Sequence, residues 1–467
     1  MQLRPYQADT LAAIRDAYRS GKRAPLLCSP TGSGKSAMTA YMLGRTTKRT
    51  LILCHREELR DMICASLPVP YNVIEGARTI GTERVAVGMM QTVSRRLGSL
   101  PKFEWVISDE CHLSMAPTWR AILDHYKGAW HLGMSATPCR LDGQGLGTIF
   151  DTIVYGPTVR ELINRSYLSP CRVFAPEHHV ENLKKSGSDF NMEDAARLFD
   201  KASVTGAAAE HLRRLGPDRR AIVFCCTREH ATHAAQQFRD AGFRAANVDG
   251  SMAPGERKQR FAGFRSGRIQ VLTNVDLATT GFDDPGIAAE IMLRPTQSLA
   301  LYLQMVGRAL RIYPGKSDAI LIDCVGNVMR HGMPDAEREW TLEGREKRSR
   351  AAAVRQCPKC YAAFLPAPKC PECGFLFPVS TRRTAPEQRD GSVVEITSGS
   401  FETRAQRLRS APLKELIREA KTFEQLQEIG AARGFRHGWA RRMHNFRIGK
   451  RTNAFLRANQ HRAGAAA

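Results

Sequence analysis

No apolar run in this chain comes close to the roughly 20 residues that a helix needs to cross a bilayer. The opening residues Met1-Gln2-Leu3-Arg4-Pro5 lead straight into a polar, foldable segment, unlike a secretory signal. Both observations argue against a membrane-embedded or secreted protein, and the cytoplasm is the expected compartment. Grouped cysteines are scarce. Most of the thirteen stand singly in apolar stretches, where Cys behaves as a small hydrophobe, and only four are clustered, at metal-ligand rather than disulfide spacing. Carboxylates clustered with a lysine, as a metal nuclease would need, are not found, and Pro334-Asp335 has no evident partners. Negative charge is also short. Against 69 Lys+Arg there are 46 Asp+Glu, a net charge of +23, and residues 404–467 hold fifteen Lys/Arg against four Asp/Glu. A polyanion, nucleic acid first, is the partner that best explains such a concentration, with a merely solvated basic tail as the alternative. The length of 467 residues suits about three domains.

What is present is organised around Ser29-Pro30-Thr31-Gly32-Ser33-Gly34-Lys35-Ser36. An apolar run, Ala24 to Cys28, reads as a buried strand before it, and Ala37 to Leu43 reads as a helix after it. Strand, glycine loop and helix in that order make a phosphate cradle: glycines let backbone N–H groups turn inward, and the helix N-terminus adds partial positive charge. Thr31, Gly32, Ser33 and Gly34 would line the cradle, Lys35 would reach the β- and γ-phosphates of ATP, and the Ser36 hydroxyl would hold Mg²⁺. The motif's usual leading glycine is replaced by Ser29, and a plain turn between two elements is the alternative.

Upstream, Leu3-Arg4-Pro5-Tyr6-Gln7 opens a helix over Ala8 to Tyr18, where an amide side chain could bond the adenine edge. Downstream, Thr50 to Cys54 and Arg84 to Gly88 read as further buried strands. Arg56, Gln91 and Thr92 follow them, at the carboxyl ends where open α/β sheets bind ligands, and are candidate contacts to a nucleic-acid backbone. Trp105-Val106-Ile107-Ser108 runs into Asp109-Glu110-Cys111-His112. Two carboxylates at a buried strand end are costly unless paired or metal-bound. Asp109 would hold Mg²⁺, Glu110 would act as general base on the attacking water, and His112 could couple this site to a second lobe. In Gly133-Met134-Ser135-Ala136-Thr137-Pro138, the hydroxyls of Ser135 and Thr137 could switch hydrogen bonds between nucleotide and lobe contacts, and an ST-turn before proline is the alternative.

This order of motifs, SPTGSGKS, then DECH, then SAT, resembles the superfamily 2 helicases of the DEAD/DEAH-box type. The resemblance implies a second RecA-like lobe. Its landmarks are the strand Ala221 to Cys226, the strand Ile269 to Thr273 leading to Thr279-Thr280-Gly281-Phe282-Asp283, and Gln304-Met305-Val306-Gly307-Arg308-Ala309-Leu310-Arg311. By the same resemblance Gln7 reads adenine with Arg4 beside it, and Arg308 and Arg311 are the arginine fingers, with Gln304 near the same site. Gly281 and Asp283 look like the coupling motif, and Thr279 a nucleic-acid contact. The wording of Leu293-Arg294-Pro295-Thr296, Leu301-Tyr302-Leu303-Gln304 and Pro314-Gly315-Lys316-Ser317-Asp318 is similar to RadD-type DNA repair helicases and related phage or prophage helicases. DNA, single-stranded or forked, is therefore the favoured polymer, with RNA the alternative.

In the C-terminal third, Asp335 to Arg355 is dense in charge and reads as a solvated linker helix. Cys357-Pro358-Lys359-Cys360 and Cys370-Pro371-Glu372-Cys373 form two turns, separated by nine residues, that can point four sulfurs at one Zn²⁺. Iron in a rubredoxin-like site is the alternative metal. Leu413 to Ala420 and Phe423 to Gly434 have helical spacing, and Arg436, Arg441 and Arg442 interleave with Phe435 and Trp439. That mixture suits a nucleic-acid platform, with the aromatics in a small core and the arginines outward.

The expected fold is thus α/β, with two tandem RecA-like parallel-sheet lobes followed by a small zinc ribbon and a basic helical segment. The boundaries are 1–155 and 156–330 for the lobes, 331–356 for a charged linker helix, 357–378 for the ribbon, 379–403 for a linker and 404–467 for the tail. The expected function is an ATP-driven DNA helicase or translocase, acting as a monomer, in repair, recombination or phage replication. A restriction-type translocase, an RNA helicase and a non-hydrolysing adaptor are the rivals.

Overall fold

The computed structural model describes residues 2–76, 78, 80–113, 117–138, 145–175, 183–187, 189–275, 284–343, 354–377, 408, 411–420, 422–435, 438–441 and 443–444. The chain forms two compact units, 1–379 and 380–467.

The first unit contains two large sheets. The first is built from β1 (Pro25–Cys28), β2 (Thr50–Cys54), β3 (Tyr71–Ile74), β4 (Val85–Met89), β5 (Trp105–Asp109), β6 (Trp130–Ser135) and β7 (Thr152–Tyr155). They lie in the order β3-β4-β2-β5-β6-β1-β7, and every pairing is parallel. Parallel strands are covered on both faces, so their sequences are apolar at nearly every position rather than alternating. β2 shows this division. Ile52 and Cys54 point into one core with Leu27, Met38 and Ile107, whereas Leu51 and Leu53 point into another with Val106 and Trp119. Because all seven strands run the same way, the loop after β1, the carboxylates after β5 and the hydroxyls after β6 emerge at one edge.

The second sheet has β8 (Cys171–Phe174), β11 (Ala221–Phe224), β12 (Ala245–Val248), β13 (Val271–Asn274), β14 (Ala289–Met292) and β15 (Ala319–Asp323), all parallel. A hairpin of β9 (Lys185–Ser186) and β10 (Asp189–Phe190) stands apart from it. Asp189 ties this hairpin down, accepting from Thr296 Oγ1 at 2.9 Å and Gln297 N at 2.6 Å.

One expectation is extended and another needs correction. The cysteine-rich segment, where a small zinc ribbon is expected, is built onto the second lobe's sheet. Its strands β16 (Arg355–Gln356) and β17 (Ala362–Phe364) extend the second sheet, which runs β12-β13-β11-β14-β15-β8-β17-β16. β17 pairs antiparallel with β8, Ala362 opposite Phe174 and Ala363 opposite Val173, and an Arg172–Glu372 ion pair at 3.3 Å reinforces the seam. A short apolar strand next to an otherwise open sheet edge satisfies backbone groups that the edge leaves bare.

The charged stretch after the second lobe is not a helix over its described part. Helix Asn327–His331 stops at Gly332, φ 81, and residues 332–343 continue without helical structure. Glu339, Thr341 and Glu343 are exposed while Trp340 and Leu342 are half-buried, the two-residue alternation of an extended strap. Trp340 and Leu342 pack on the first lobe's cluster of Ala24, Leu26, Cys28, Leu146 and Phe150. Tyr155 Oη donates to Trp340 O at 2.5 Å, Gly147 N donates to Leu342 O at 2.9 Å, and Arg160 pairs with Asp335 at 3.2 Å. Charge density had masked the two apolar residues that decide the conformation. Residues 344–353 of the expected helix lie outside those described.

The second unit contains helices Leu413–Glu419 and Phe423–Ala432 around Leu416, Ala420, Leu426 and Ile429. Trp439 packs on this core, whereas Phe435, its ring 4.7 Å from that of Trp439, remains 36% exposed at the rim. Among the described residues no helix is long and apolar enough to cross a membrane.

Removing the strap's anchor tests this account. Trp340→Ala gives up a half-buried aromatic and is expected to cost about 1–2 kcal/mol of first-lobe stability. The change should lower the urea midpoint read from first-lobe tryptophan fluorescence, and an unmoved midpoint would mean that the strap contributes nothing.

Candidate active site

A cleft of about 380 Å³ separates the two sheets, and its lining comes from both: Thr31, Gly32, Gly34, Lys35, Ser36, Asp109 and Glu110 on one wall, Tyr167, Leu168, Gln304, Arg308 and Arg311 on the other, with Arg4 at the rim. The loop is held in shape from behind. Tyr6 Oη donates to Ser33 O at 2.9 Å and Gln7 Nε2 to the same oxygen at 3.1 Å, while Gln7 Oε1 accepts from Arg4 N at 3.0 Å. Gly34 has φ +82, and a Cβ there would sit 2.3 Å from Gln7 Nε2, so only glycine lets this amide reach the loop. Lys35 Nζ folds back on the loop carbonyls, donating to Ser29 O at 2.9 Å and Pro30 O at 3.3 Å.

Gln7, placed at the adenine edge by resemblance, is buried and is not among the lining residues; its amide bonds the loop and the helix start. The rim is formed instead by Arg4, whose guanidinium lies over the Tyr167 ring at 4.7 Å. Tyr167 carries no sequence signal of a place in the cleft. The only hint is its position just before β8, where the second lobe begins.

At the end of β5, Glu110 takes a left-handed backbone, φ 51. A non-glycine residue there is uncommon and aims the side chain across the cleft. Its Oε2 lies 3.3 Å from His112 Nδ1, and Gln304 Nε2 of the second lobe donates to it at 3.4 Å. Donor counting settles the histidine tautomer. Ser135 Oγ sends its proton to Thr137 O at 2.8 Å and accepts from Thr137 N at 3.0 Å, so at 3.2 Å from His112 Nδ1 it can only accept. Glu110 is an acceptor too, so Nδ1 carries the hydrogen. Ser135 and Thr137 are fully buried. Glu110, His112, Ser135 and Thr137 thus form one continuous polar network.

Burial, and then the neighbouring Glu110, push the Asp109 carboxyl above its ordinary range. Burial alone would raise Glu110 too, but the His112 hydrogen bond and charge, with Lys35 and His55, hold it below. Burial pushes His55 down to about 4, so that ring is neutral at neutral pH. Opposite, burial lowers the Arg308 and Arg311 guanidinium groups to about 10, which leaves both charged. Behind Arg308, Glu290 of β14 is fully buried, and burial raises its carboxyl well above the ordinary range against the pull of Arg308. The lobes meet closely beside these arginines: a Cβ added at Gly307 would lie 2.5 Å from Thr31 Cβ.

Arg56 starts helix Glu57–Ser66 after β2, and Gln91 and Thr92 lie in helix Met90–Arg95 after β4, on the sheet edge that carries the loop. Arg441 is exposed in the second unit. Thr279, Gly281, Asp283, Arg436 and Arg442 lie outside the described residues.

The four clustered cysteines converge. Their sulfurs all lie within 4.8 Å of one another, with Cys357–Cys373 and Cys360–Cys370 at 3.6 Å. A tetrahedron with Zn–S near 2.3 Å has edges of about 3.8 Å, whereas a disulfide closes to about 2.05 Å. The two turns match in backbone as well: Tyr361 and Gly374, each following the second cysteine of its pair, have φ 63 and 71. The spacing and the thiolate donor set fit a tetrahedral zinc ion.

The model of the type III restriction enzyme res subunit matches residues 1–140, and that of the helicase conserved C-terminal domain matches residues 207–313. A 51.5 kDa protein of a Lactococcus phage is 33% identical over 76% of this chain and 79% of its own length. A Saccharomyces cerevisiae protein described as ATP-dependent helicase IRC3 is 27% identical over 69% of this chain, which spans 51% of that relative. A solved fragment of an HsdR subunit of a type I restriction enzyme from Vibrio vulnificus shares the fold, with TM-score 0.57 at 23% identity over 71% of this chain and 65% of the fragment. With the loop of one sheet facing the arginine helix of another, and with these matches over both, the chain belongs to the superfamily 2 helicases, enzymes that hydrolyse ATP.

Proposed function

We propose that this protein is a DNA translocase or helicase that hydrolyses ATP between its lobes and steps along a single strand. The observation that carries the reading is the shared cleft, with Lys35, Asp109 and Glu110 on one wall and Gln304, Arg308 and Arg311 on the other. Lys35 would exchange its loop carbonyls for the β- and γ-phosphates, a short movement for an ammonium already at the cradle. Ser36 and Asp109 offer hard oxygen donors at the cleft, the ligand type that Mg²⁺ prefers, and the ion would neutralise phosphate charge there. Glu110, kept ionised by His112, would accept a proton from the attacking water, and Gln304 would orient the carboxylate. Arg308 and Arg311 would face the γ-phosphate from the second lobe, so turnover requires closure.

DNA rather than RNA is supported by the restriction-type match over the first lobe and by the RadD-like wording of the second. Arg56, Gln91 and Thr92 share an edge with the loop and would track the backbone, and the basic tail would add affinity. Zinc on Cys357, Cys360, Cys370 and Cys373 would be structural. Four thiolates close the coordination shell, and the knuckles brace β17 against β8.

ATP turnover measured with single-stranded DNA, duplex DNA and RNA tests the reading. Single-stranded DNA should stimulate most, and Glu110→Gln should lower kcat by about 100-fold or more while ATP still binds. Stimulation by RNA alone, or full turnover in that variant, would refute it. Gly307→Ala should hold the lobes apart at Thr31 and lower kcat by about 10–100-fold, read under saturating ATP and DNA. Purified protein should contain one zinc per chain, and chelation should lower the melting temperature of the second lobe; metal-free protein with an unchanged melting curve would remove the ion from the account.

A further inference from the structure

Pro314-Gly315-Lys316 stands out in the sequence and is not accounted for by the cleft. Tyr313 to Lys316 form a tight turn: Lys316 N donates to Tyr313 O at 3.0 Å, with Pro314 and Gly315, φ +78, at its centre. Proline followed by a positive-φ glycine is the sequence that such a turn demands. The turn sends the Lys316 side chain back beneath the end of helix Leu299–Ala309. There Nζ donates to Ala309 O, to Arg311 O at 2.6 Å and to Ile287 O at 2.7 Å. An ammonium has three hydrogens, and all three meet carbonyls. Ser169 completes the clasp, its N donating to Leu310 O at 2.7 Å and its Oγ to Arg311 O at 3.1 Å. The carbonyls at a helix C-terminus otherwise lack partners, and a cation there also suits the helix dipole. Lys316 does not line the cleft.

We propose that Lys316 is a positioning residue, whose ammonium grips the backbone on either side of Leu310 and sets the direction in which Arg308 and Arg311 enter the cleft. The proposal rests on the reading of those arginines given above. Its consequence is a pH dependence. Burial pushes Lys316 down to about 8; Cys171 of β8 and Asp318 of its own segment favour the charged form, whereas Arg219 and Arg220 before β11 oppose it. Arg220 is in turn paired with Asp284 at 2.8 Å, and Arg219 with Asp318. Above that pH, Nζ keeps two hydrogens for three carbonyls, and one carbonyl of the clasp is released.

The test is steady-state ATPase kinetics of the full chain with saturating single-stranded DNA between pH 6.5 and 9.5, for the wild type, Lys316→Met, Lys316→Arg and Arg311→Ala. Lys316→Met should lower kcat by about tenfold or more with the KM for ATP within about twofold, because misdirected arginines act on the transition state. The wild type should lose kcat as the pH rises through about 8. Lys316→Met should lack that alkaline fall, and Lys316→Arg should recover part of kcat with the fall moved upward. Melting curves identify a variant that has merely lost its fold. An unchanged kcat in Lys316→Met, or an alkaline fall that survives in it, overturns the proposal. If Arg311→Ala turns over like the wild type, the arginine reading itself fails. If Arg311→Ala is inactive while Lys316→Met is fully active, only the present inference fails.

Discussion

The structure depends on a close approach. Gly307 of one lobe lies so near Thr31 of the other that a single methyl would not fit, and within the same gap Gln304 reaches Glu110. This contact brings two parallel sheets edge to edge at the ends where their loops emerge. The cleft it creates is small, polar and half-enclosed, so charges placed in it interact more strongly than they would in water. Catalysis of phosphoryl transfer needs little from a protein beyond position and charge, and on the proposed reading both would come from groups that meet only when the lobes meet. Closure and chemistry would then be one event, which is what the proposed motor requires.

Within the first lobe, a polar network runs from the half-buried Glu110 through His112 and Ser135 to the backbone of Thr137. Such networks tolerate little rearrangement, since an orphaned partner in a low-dielectric interior is costly. A change at the glutamate is therefore felt at the end of β6. The second lobe joins this network through Gln304, on the helix that carries Arg308 and whose end Lys316 and Ser169 clasp. Away from the cleft, the strap with Trp340 and Leu342 returns from the second lobe to the first. The lobes are thus joined both at the cleft and by a length of backbone away from it, which limits how they can part.

The cysteine knuckles extend the same economy. Standing alone, so short a segment could bury little apolar surface. Paired with β8, its strands close a sheet edge, and Glu372 reaches Arg172, which also holds Asp318 beside Lys316. Arg172 therefore links the cysteine turns to the segment that carries Lys316.

Much of this was legible in the chain. The loop, the Asp109–Glu110 pair, the Ser135–Thr137 step and the two cysteine turns are each built from a few consecutive residues, so spacing alone carried them. Strands buried on both faces announced themselves as apolar runs. Three features were not legible. Gln7 faces the loop rather than the rim because Gly34 admits it, a fit that depends on a backbone angle. Residues 332–343 are extended because two apolar side chains find a pocket in a distant lobe, against a charge density that suggested a solvated helix. Lys316 belongs to a motif whose meaning lies in three carbonyls that only folding brings to it. The sequence by itself determined the glycine loop, the carboxylate pair and the four cysteines, because those are local arrangements. Only the tertiary structure decided how the walls meet, what holds the arginines and where the strap lands, because these contacts join residues that no short-range pattern relates.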